Sequence, residues 1–253
     1  MNVAPKKELG QHFLVDENIL GVIERLAGLG PQDVVLEVGP GLGILTRFLA
    51  ERVAHVHAVE LDRSLETHLR DLPRVGLHWG DALRLDLTAL EPPPRKLVAN
   101  LPYNIATPLI VESLGKLPTV GTWCVMLQRE VADRLFAQPR TKAYGAVSVL
   151  VQLAAERTGF HPVSREVFRP RPNVDSALVA FRRVAAGAAP PVRRVVDGAF
   201  AHRRKTLPNS LALAGVAPRA FAAEALVAIG HDRAARAEQL PPADYVRLAA
   251  ALG

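Results

Sequence analysis

The sequence predicts an α/β fold, with a mainly parallel sheet closed by one antiparallel strand and followed by a small all-helical C-terminal domain. Three observations carry this. Short apolar runs alternate with amphipathic stretches through the first two thirds of the 253 residues. A glycine-rich turn follows the first such run, and beyond an Ala/Gly/Pro stretch at 185–191 only helical periodicity remains. With 49% hydrophobic residues, the chain is long and apolar enough to bury a sizeable core.

Taken in order, Asp16 caps a helix running to about residue 29, with Ile19, Leu20, Ile23 and Leu26 at helical spacing. Val34-Val35-Leu36-Glu37-Val38 is a short apolar run ending in Gly-Pro-Gly, which reads as a buried strand entering a tight turn. A helix near 44–52 and a strand over 55–61 follow, then a helix capped by Asp62 to about residue 72. Strands are expected at 75–79, 96–100 and 121–127, with helices near 105–115 and 129–137. Strand–helix units of this length imply parallel strands with helices on both faces. After Tyr144 the pattern changes to a helix over 146–156 and a closing strand over 176–184. Helices near 192–201, 204–213, 218–229 and 242–252 complete the chain, so the expected domains are 1–184 and 191–253.

Composition excludes several classes. No stretch approaches the roughly 18 uninterrupted apolar residues of a membrane span. Lys6, Lys7 and Glu8, followed by Gly10-Gln11-His12, lack the apolar region of a signal peptide, so a cytoplasmic protein with no membrane partner is expected. The single cysteine, Cys124, lies in an apolar run and excludes an internal disulfide or a multi-cysteine metal site. No metal is expected, and nothing demands more than a monomer. The net charge is +6, unevenly spread: residues 1–160 hold 17 Lys+Arg and 18 Asp+Glu, whereas residues 161–253 hold 14 and 7. One part is thus suited to a small molecule and the other to a polyanion.

The glycine turn Gly39-Pro40-Gly41-Leu42-Gly43 stands where open α/β sheets bind ligands, beyond the carboxyl end of a strand. Its spacing is G-x-G-x-G, which differs from the G-x-G-x-x-G of dinucleotide enzymes. Glu60 ends the second strand, 21 residues after Gly39, where a carboxylate can accept from both hydroxyls of a ribose. Asp81 follows the third strand, placed to accept from an adenine amino group. Two acids in register with the glycine turn, and no phosphate-binding lysine nearby, suit a nucleoside ligand without phosphates. S-adenosylmethionine is such a ligand.

Asn100-Leu101-Pro102-Tyr103 follows the fourth strand and so shares this rim. The exocyclic nitrogen of adenine is a poor nucleophile because its lone pair is delocalised into the ring. Two acceptors, one for each N6 hydrogen, would draw it toward a tetrahedral shape and aim the lone pair. The Asn100 side-chain carbonyl and the Leu101 backbone carbonyl suit this; Pro102 stiffens the turn, and Tyr103 offers a ring for stacking. A buried base cannot reach such a pocket, so the target must be flipped or unpaired. Phe168, at the head of Phe168-Arg169-Pro170-Arg171-Pro172-Asn173-Val174-Asp175-Ser176, is the candidate second aromatic.

On these motifs the chain resembles the KsgA family of small-subunit (16S) ribosomal RNA adenine N6,N6-dimethyltransferases. Leu9-Gly10-Gln11-His12-Phe13-Leu14, Glu60-Leu61-Asp62, Gly80-Asp81-Ala82, Gln128-Arg129-Glu130-Val131-Ala132 and Arg203-Arg204-Lys205-Thr206-Leu207 extend the likeness nearly end to end. The resemblance implies a Rossmann-like class I methyltransferase domain and a small helical RNA-contacting domain. It implies that Gln11, His12, Leu14, Gly39, Gly41, Glu60, Leu61, Asp81, Ala82 and Asn100 hold S-adenosylmethionine, released as S-adenosylhomocysteine. It also implies dimethylation of two neighbouring adenosines in a hairpin near the RNA 3′ end, with the immature small ribosomal subunit as partner. The charge split assigns RNA contact to Arg193, Arg194, His202, Arg203, Arg204 and Lys205. Two positions depart from the family: His12, where Asn is usual, and Pro208, where a basic residue is.

Alternatives share parts of this pattern. Large-subunit ribosomal RNA adenine methyltransferases that confer antibiotic resistance carry the same tetrapeptide pattern. A non-catalytic RNA-binding assembly or transcription factor on this scaffold would not need Glu60, Asp81 and Asn100 intact. DNA adenine methyltransferases commonly read Asp/Asn-Pro-Pro-Tyr, and a dehydrogenase would space its glycines differently.

Overall fold

The computed structural model describes Lys6 and residues 11–253. Lys7, Glu8 and the Leu9-Gly10 start of the N-terminal motif lie outside the described residues. The elements, in chain order, begin with β1 (Phe13–Leu14), α1 (Asn18–Ala27), β2 (Val34–Val38), α2 (Ile44–Ala50) and β3 (His55–Glu60). They continue with α3 (Glu66–Leu69), β4 (Val75–Trp79), β5 (Lys96–Asn100), α4 (Ala106–Lys116), β6 (Thr122–Gln128) and α5 (Arg129–Leu135). Then come α6 (Ala146–Ala154), β7 (Ala155–Val163), β8 (Phe168–Arg169), β9 (Ser176–Arg183), α7 (Pro190–Ala201), α8 (Leu207–Leu213), α9 (Arg219–Ala228) and α10 (Pro242–Leu252).

The sheet runs β4-β3-β2-β5-β6-β9-β7. Its β4-β3-β2-β5-β6 portion is parallel and β9 is antiparallel to β6. The central strands are largely apolar because helices cover both faces, with Glu37, His57 and Glu60 as buried polar exceptions. On one face, Ile19, Leu20 and Ile23 of α1 and Leu45 and Leu49 of α2 pack with Val35, Val98, Cys124 and Met126. Elsewhere Trp123 stacks on Phe181 at 5.2 Å, and its indole N–H donates to the Ser113 hydroxyl at 2.9 Å. The strand order reverses between β2 and β5, a switch point that opens a crevice at the carboxyl ends of these strands.

Local expectations fare differently. Asp62 caps as expected, accepting from the Ser64 N–H at 3.0 Å, but a single turn of tight helix and the short α3 replace one helix to residue 72. Asp16 accepts from the Asn18 N–H at 2.8 Å, just outside α1. The expected helix 146–156 ends at Ala154, and β7 follows where no strand was expected. The chain forms two compact units: residues up to Ala132 with Glu156–Arg183, and Asp133–Ala155 with Val184–Gly253. Residues 133–155, which the expected boundary places in the first domain, therefore pack with the C-terminal helices.

The second unit is built around aromatic side chains. Phe200 lies 6.0 Å from Tyr144 and 5.9 Å from Tyr245, ring to ring. Both buried hydroxyls find acceptors, Leu240 O at 2.8 Å and Ala237 O at 2.6 Å. Pro208 is buried in the first turn of α8, where its missing N–H costs nothing. The helix expected from 204 starts at Leu207, so the basic run His202-Arg203-Arg204-Lys205 occupies the turn before it.

Candidate functional site

The crevice at the carboxyl edge of β2, β3, β4 and β5 is a pocket, and the ten residues expected to hold a cofactor all line it: Gln11, His12, Leu14, Gly39, Gly41, Glu60, Leu61, Asp81, Ala82 and Asn100. Leu101, Pro102 and Tyr103 line it as well. The glycine turn is shaped by close approach. Gly39 and Gly41 have φ of 74° and 59°, a region that costs L-residues strain. A Cβ on Gly39 would stand 3.0 Å from the Pro102 ring, and one on Gly41 2.9 Å from the Phe13 ring. The loop after β2 thus interlocks with the turn after β5.

Glu60 is buried, and its carboxylate gathers backbone donors: Leu61 N–H and Asp62 N–H at 2.8 Å each, and Gly41 N–H at 3.2 Å. Burial raises its pKa, and the three N–H groups oppose that rise. A carboxylate has about four acceptor positions, so at most one remains for a ligand. Asp81 accepts from the Leu83 N–H at 2.9 Å and pairs with the exposed Arg84 at 3.4 Å. Gln11 donates to Asp62 at 3.0 Å, and Lys6 donates to the same carboxylate at 2.7 Å. Burial would raise the Asp62 pKa, but the donors Lys6, Ser64 and Gln11 hold it well below the usual carboxylate range.

Asn100 is oriented by one hydrogen bond. Its amide nitrogen donates to the His12 carbonyl at 3.0 Å, which leaves the amide oxygen as the side chain's acceptor. The Leu101 N–H donates to Met126 O at 3.2 Å, and the Pro102 carbonyl accepts from the Ile105 N–H at 3.2 Å. The Tyr103 hydroxyl shares a 2.7 Å hydrogen bond with Ser176, and its ring centre lies 5.4 Å from that of His12. His12 donates from Nδ1 to the Pro170 carbonyl at 2.8 Å. The imidazole at this departure from the family therefore ties the pocket to the 168–176 segment.

Phe168 is a correction. It is fully buried, packed with Leu14, Ile19 and Leu178, and pairs with Leu14 across the β1–β8 ladder. Its ring belongs to the core and does not line the pocket. Glu37, conversely, opens the glycine motif in the sequence without being assigned a role there. It lines the pocket almost wholly buried, and Oε2 has no hydrogen-bond partner among the described residues. Burial pushes its pKa up to about 8; the adjacent Thr46 hydroxyl opposes the rise and the Glu60 charge adds to it. The sequence does carry a signal for it: a carboxylate inside an otherwise apolar central strand asks for a partner.

The residues expected to contact RNA lie in the second unit. His202, Arg204 and Lys205 are exposed in the turn before α8. Arg193 faces Asp197 at 3.8 Å, and Arg194 donates to Gly215 O at 2.9 Å. Arg203 donates to Tyr144 O at 2.8 Å and so fastens the 142–144 segment to this turn.

Comparison with known proteins adds the following. The model of the family described as ribosomal RNA adenine dimethylase matches residues 3–252. The ribosomal RNA small subunit methyltransferase A of Rubrobacter xylanophilus is 48% identical, over 96% of this chain and 94% of that protein. Its namesake from Thermobifida fusca is 44% identical, over 98% and 91%. Among solved structures, a dimethyladenosine transferase from Plasmodium falciparum shares the fold with a TM-score of 0.77 at 23% identity, covering 94% of this chain and 96% of that one. The 23S rRNA methyltransferase ErmE aligns with a TM-score of 0.64 at 30% identity, covering 95% and 99%.

Proposed function

The chain belongs to the ribosomal RNA adenine dimethylase family, and from that premise we propose that its pocket takes S-adenosylmethionine and dimethylates the adenine N6 of two adjacent adenosines in a 3′-terminal hairpin of small-subunit ribosomal RNA. The fit of the cofactor rests on the pocket itself. The glycine turn removes the Cβ atoms that would block it, Glu60 keeps an acceptor position for a ribose, and Asp81 offers its carboxylate to an adenine amino group. The orphaned oxygen of Glu37 suits the cofactor's cationic end. When bound, the cofactor supplies an electrophilic methyl group on a sulfonium.

The protein's part is positioning. Asn100 Oδ1, turned to its task by the His12 carbonyl, accepts one N6 hydrogen of the target adenine. With the Pro102 carbonyl engaged by Ile105, the Leu101 carbonyl serves the other. Tyr103, held by Ser176, stacks on the base. Small-subunit specificity follows the relatives' names, a role in subunit maturation follows the family resemblance, and the basic charge of the second unit suits RNA, with exposed Arg204 and Lys205 meeting its phosphates.

The observation that carries the mechanism is the His12-oriented amide of Asn100. Asn100→Ala should lower kcat for methyl transfer by about 100-fold or more, as removal of a preorganised polar group at a reacting centre does, while subunit binding persists. Unchanged transfer would remove Asn100 from the mechanism. Mass spectrometry of RNA from isolated subunits treated with the enzyme tests the substrate: methylation confined to large subunits would reassign the chain to the chemistry of ErmE-like enzymes.

A further inference from the structure

With Phe168 in the core, the ring expected to work beside Tyr103 is missing from the pocket rim. Phe160 lies on the same sheet, on the strand beyond β9. It is half-buried on β7, the strand at the edge of the sheet. Two exposed guanidiniums lie over its ring, that of Arg129 at 4.9 Å and that of Arg157 at 5.9 Å from the ring centre. This cluster connects to the pocket through successive contacts. The Arg129 N–H donates to the Asp175 carbonyl at 2.9 Å. Gln128, the preceding residue, pairs with Ser176 across the β6–β9 ladder, and Ser176 holds the Tyr103 hydroxyl at 2.7 Å.

We propose that Phe160, Arg129 and Arg157 form a stacking site for an unpaired nucleotide that adjoins the target adenosine in the RNA. The inference rests on the reading of the pocket as an RNA adenine site. Flipping one base deprives its neighbour of a stacking partner, and a protein surface that stacks the neighbour offsets that cost. An aromatic face and guanidinium planes are the groups that accept any base in this way. The same two arginines are placed to meet the flanking phosphates, and their contact with the ring orders them beforehand. The site thus selects for a single-stranded flank more than for a particular base.

Equilibrium binding and steady-state methylation of unmethylated small ribosomal subunits test this with Phe160→Leu, which keeps apolar packing, and Phe160→Trp, which keeps a ring. Phe160→Leu should raise Kd and KM for subunits about 10-fold, within the range found for loss of one aromatic–base stack. The kcat at saturating subunits and the Kd for S-adenosylmethionine should stay within about twofold, and Phe160→Trp should restore subunit affinity. Arg157→Lys, which keeps charge but loses the plane, should fall between. A Phe160→Leu subunit affinity within twofold of wild type overturns the proposal. So does a loss shared with cofactor binding or thermal stability, or one that Phe160→Trp fails to restore. Wild-type failure to methylate subunits would instead refute the proposed function, and the binding comparison still reads Phe160 in that case.

Discussion

Glu37 enters the pocket from an apolar strand with one oxygen unpartnered among the described residues, and its pKa of about 8 follows from burial. Its folded pKa lies above the unfolded value of 4.5, so the folded state holds its proton more tightly. Stability is then greatest at acid pH on this group's account and declines as pH rises from about 4.5 to about 8. The slope approaches 1.4 kcal/mol per pH unit at most. Glu37→Gln should flatten that decline in the ligand-free protein, measured by denaturant unfolding at several pH values. The same substitution should weaken S-adenosylmethionine binding and abolish any rise in its affinity as pH passes 8. An unchanged pH profile of both quantities would show that the carboxyl is not the group responsible. Asn100 makes a related point: a single bond from its amide nitrogen to the His12 carbonyl decides that the amide oxygen is the end left as acceptor.

At the scale of elements, the site depends on two turns touching. The loop after β2 and the turn after β5 meet where Gly39 faces the Pro102 ring, with 3.0 Å left for a Cβ. Gly39→Ala should therefore cost on two counts, a positive φ of 74° and a steric push on the Pro102 turn. About 1–3 kcal/mol of stability is at stake, with at least 10-fold weaker cofactor binding by calorimetry. Gly115, in α4 with open space at its Cβ position, is the control: Gly115→Ala should leave the site intact. A second element-scale device joins β3 to β4. His57 Nε2–H donates to Pro92 O at 2.8 Å, which makes Nδ1 the acceptor for His78 Nε2–H at 3.1 Å. His55 and His78 have pKa values lowered from 6.5, by burial first and neighbouring histidines second. The unfolded chain then binds protons that the folded one refuses. Stability on their account is fully kept above 6.5 and falls as pH drops below it. His78→Gln should reduce the acid sensitivity of the melting temperature between pH 6.5 and 5; equal sensitivity would place its origin elsewhere.

Across the whole molecule, charge is partitioned by unit. The second unit holds 12 Lys/Arg against 6 Asp/Glu, and the first holds 19 of each. The entire excess of +6 thus resides in the helical unit. Within it, the basic turn is not uniform. Charge reversal at Arg204 and Lys205 should weaken subunit binding and lower the slope of log K against log salt by about 2, one for each RNA phosphate left unneutralised. Arg203→Ala should instead lower stability by about 1 kcal/mol, because its hydrogen bond to Tyr144 O is removed, with a smaller change in that slope. A salt slope unmoved by the double reversal would remove the turn from the RNA interface.

The parts of the fold legible in the sequence are those set by local pattern. Largely apolar runs mark β2, β5 and β6 because a parallel strand is covered on both faces, and helical spacing marks α1. The β7 strand is not legible, since its residues are largely exposed or half-buried and only pairing with β9 makes them a strand. The boundary between units escapes for a similar reason: α6 is as apolar as a core helix of either unit, and which core it joins depends on distant partners.

The sequence by itself determined the family, the glycine turn and the tetrapeptide, because these depend on residue type and short spacing. Only the tertiary structure decided what each side chain is free to do. Burial withdrew Phe168 into the core and raised the pKa of Glu37. A distant carbonyl turned Asn100, and another engaged Arg203. Solvent access and hydrogen-bond partners are set by residues far apart in the chain, and no local pattern encodes them.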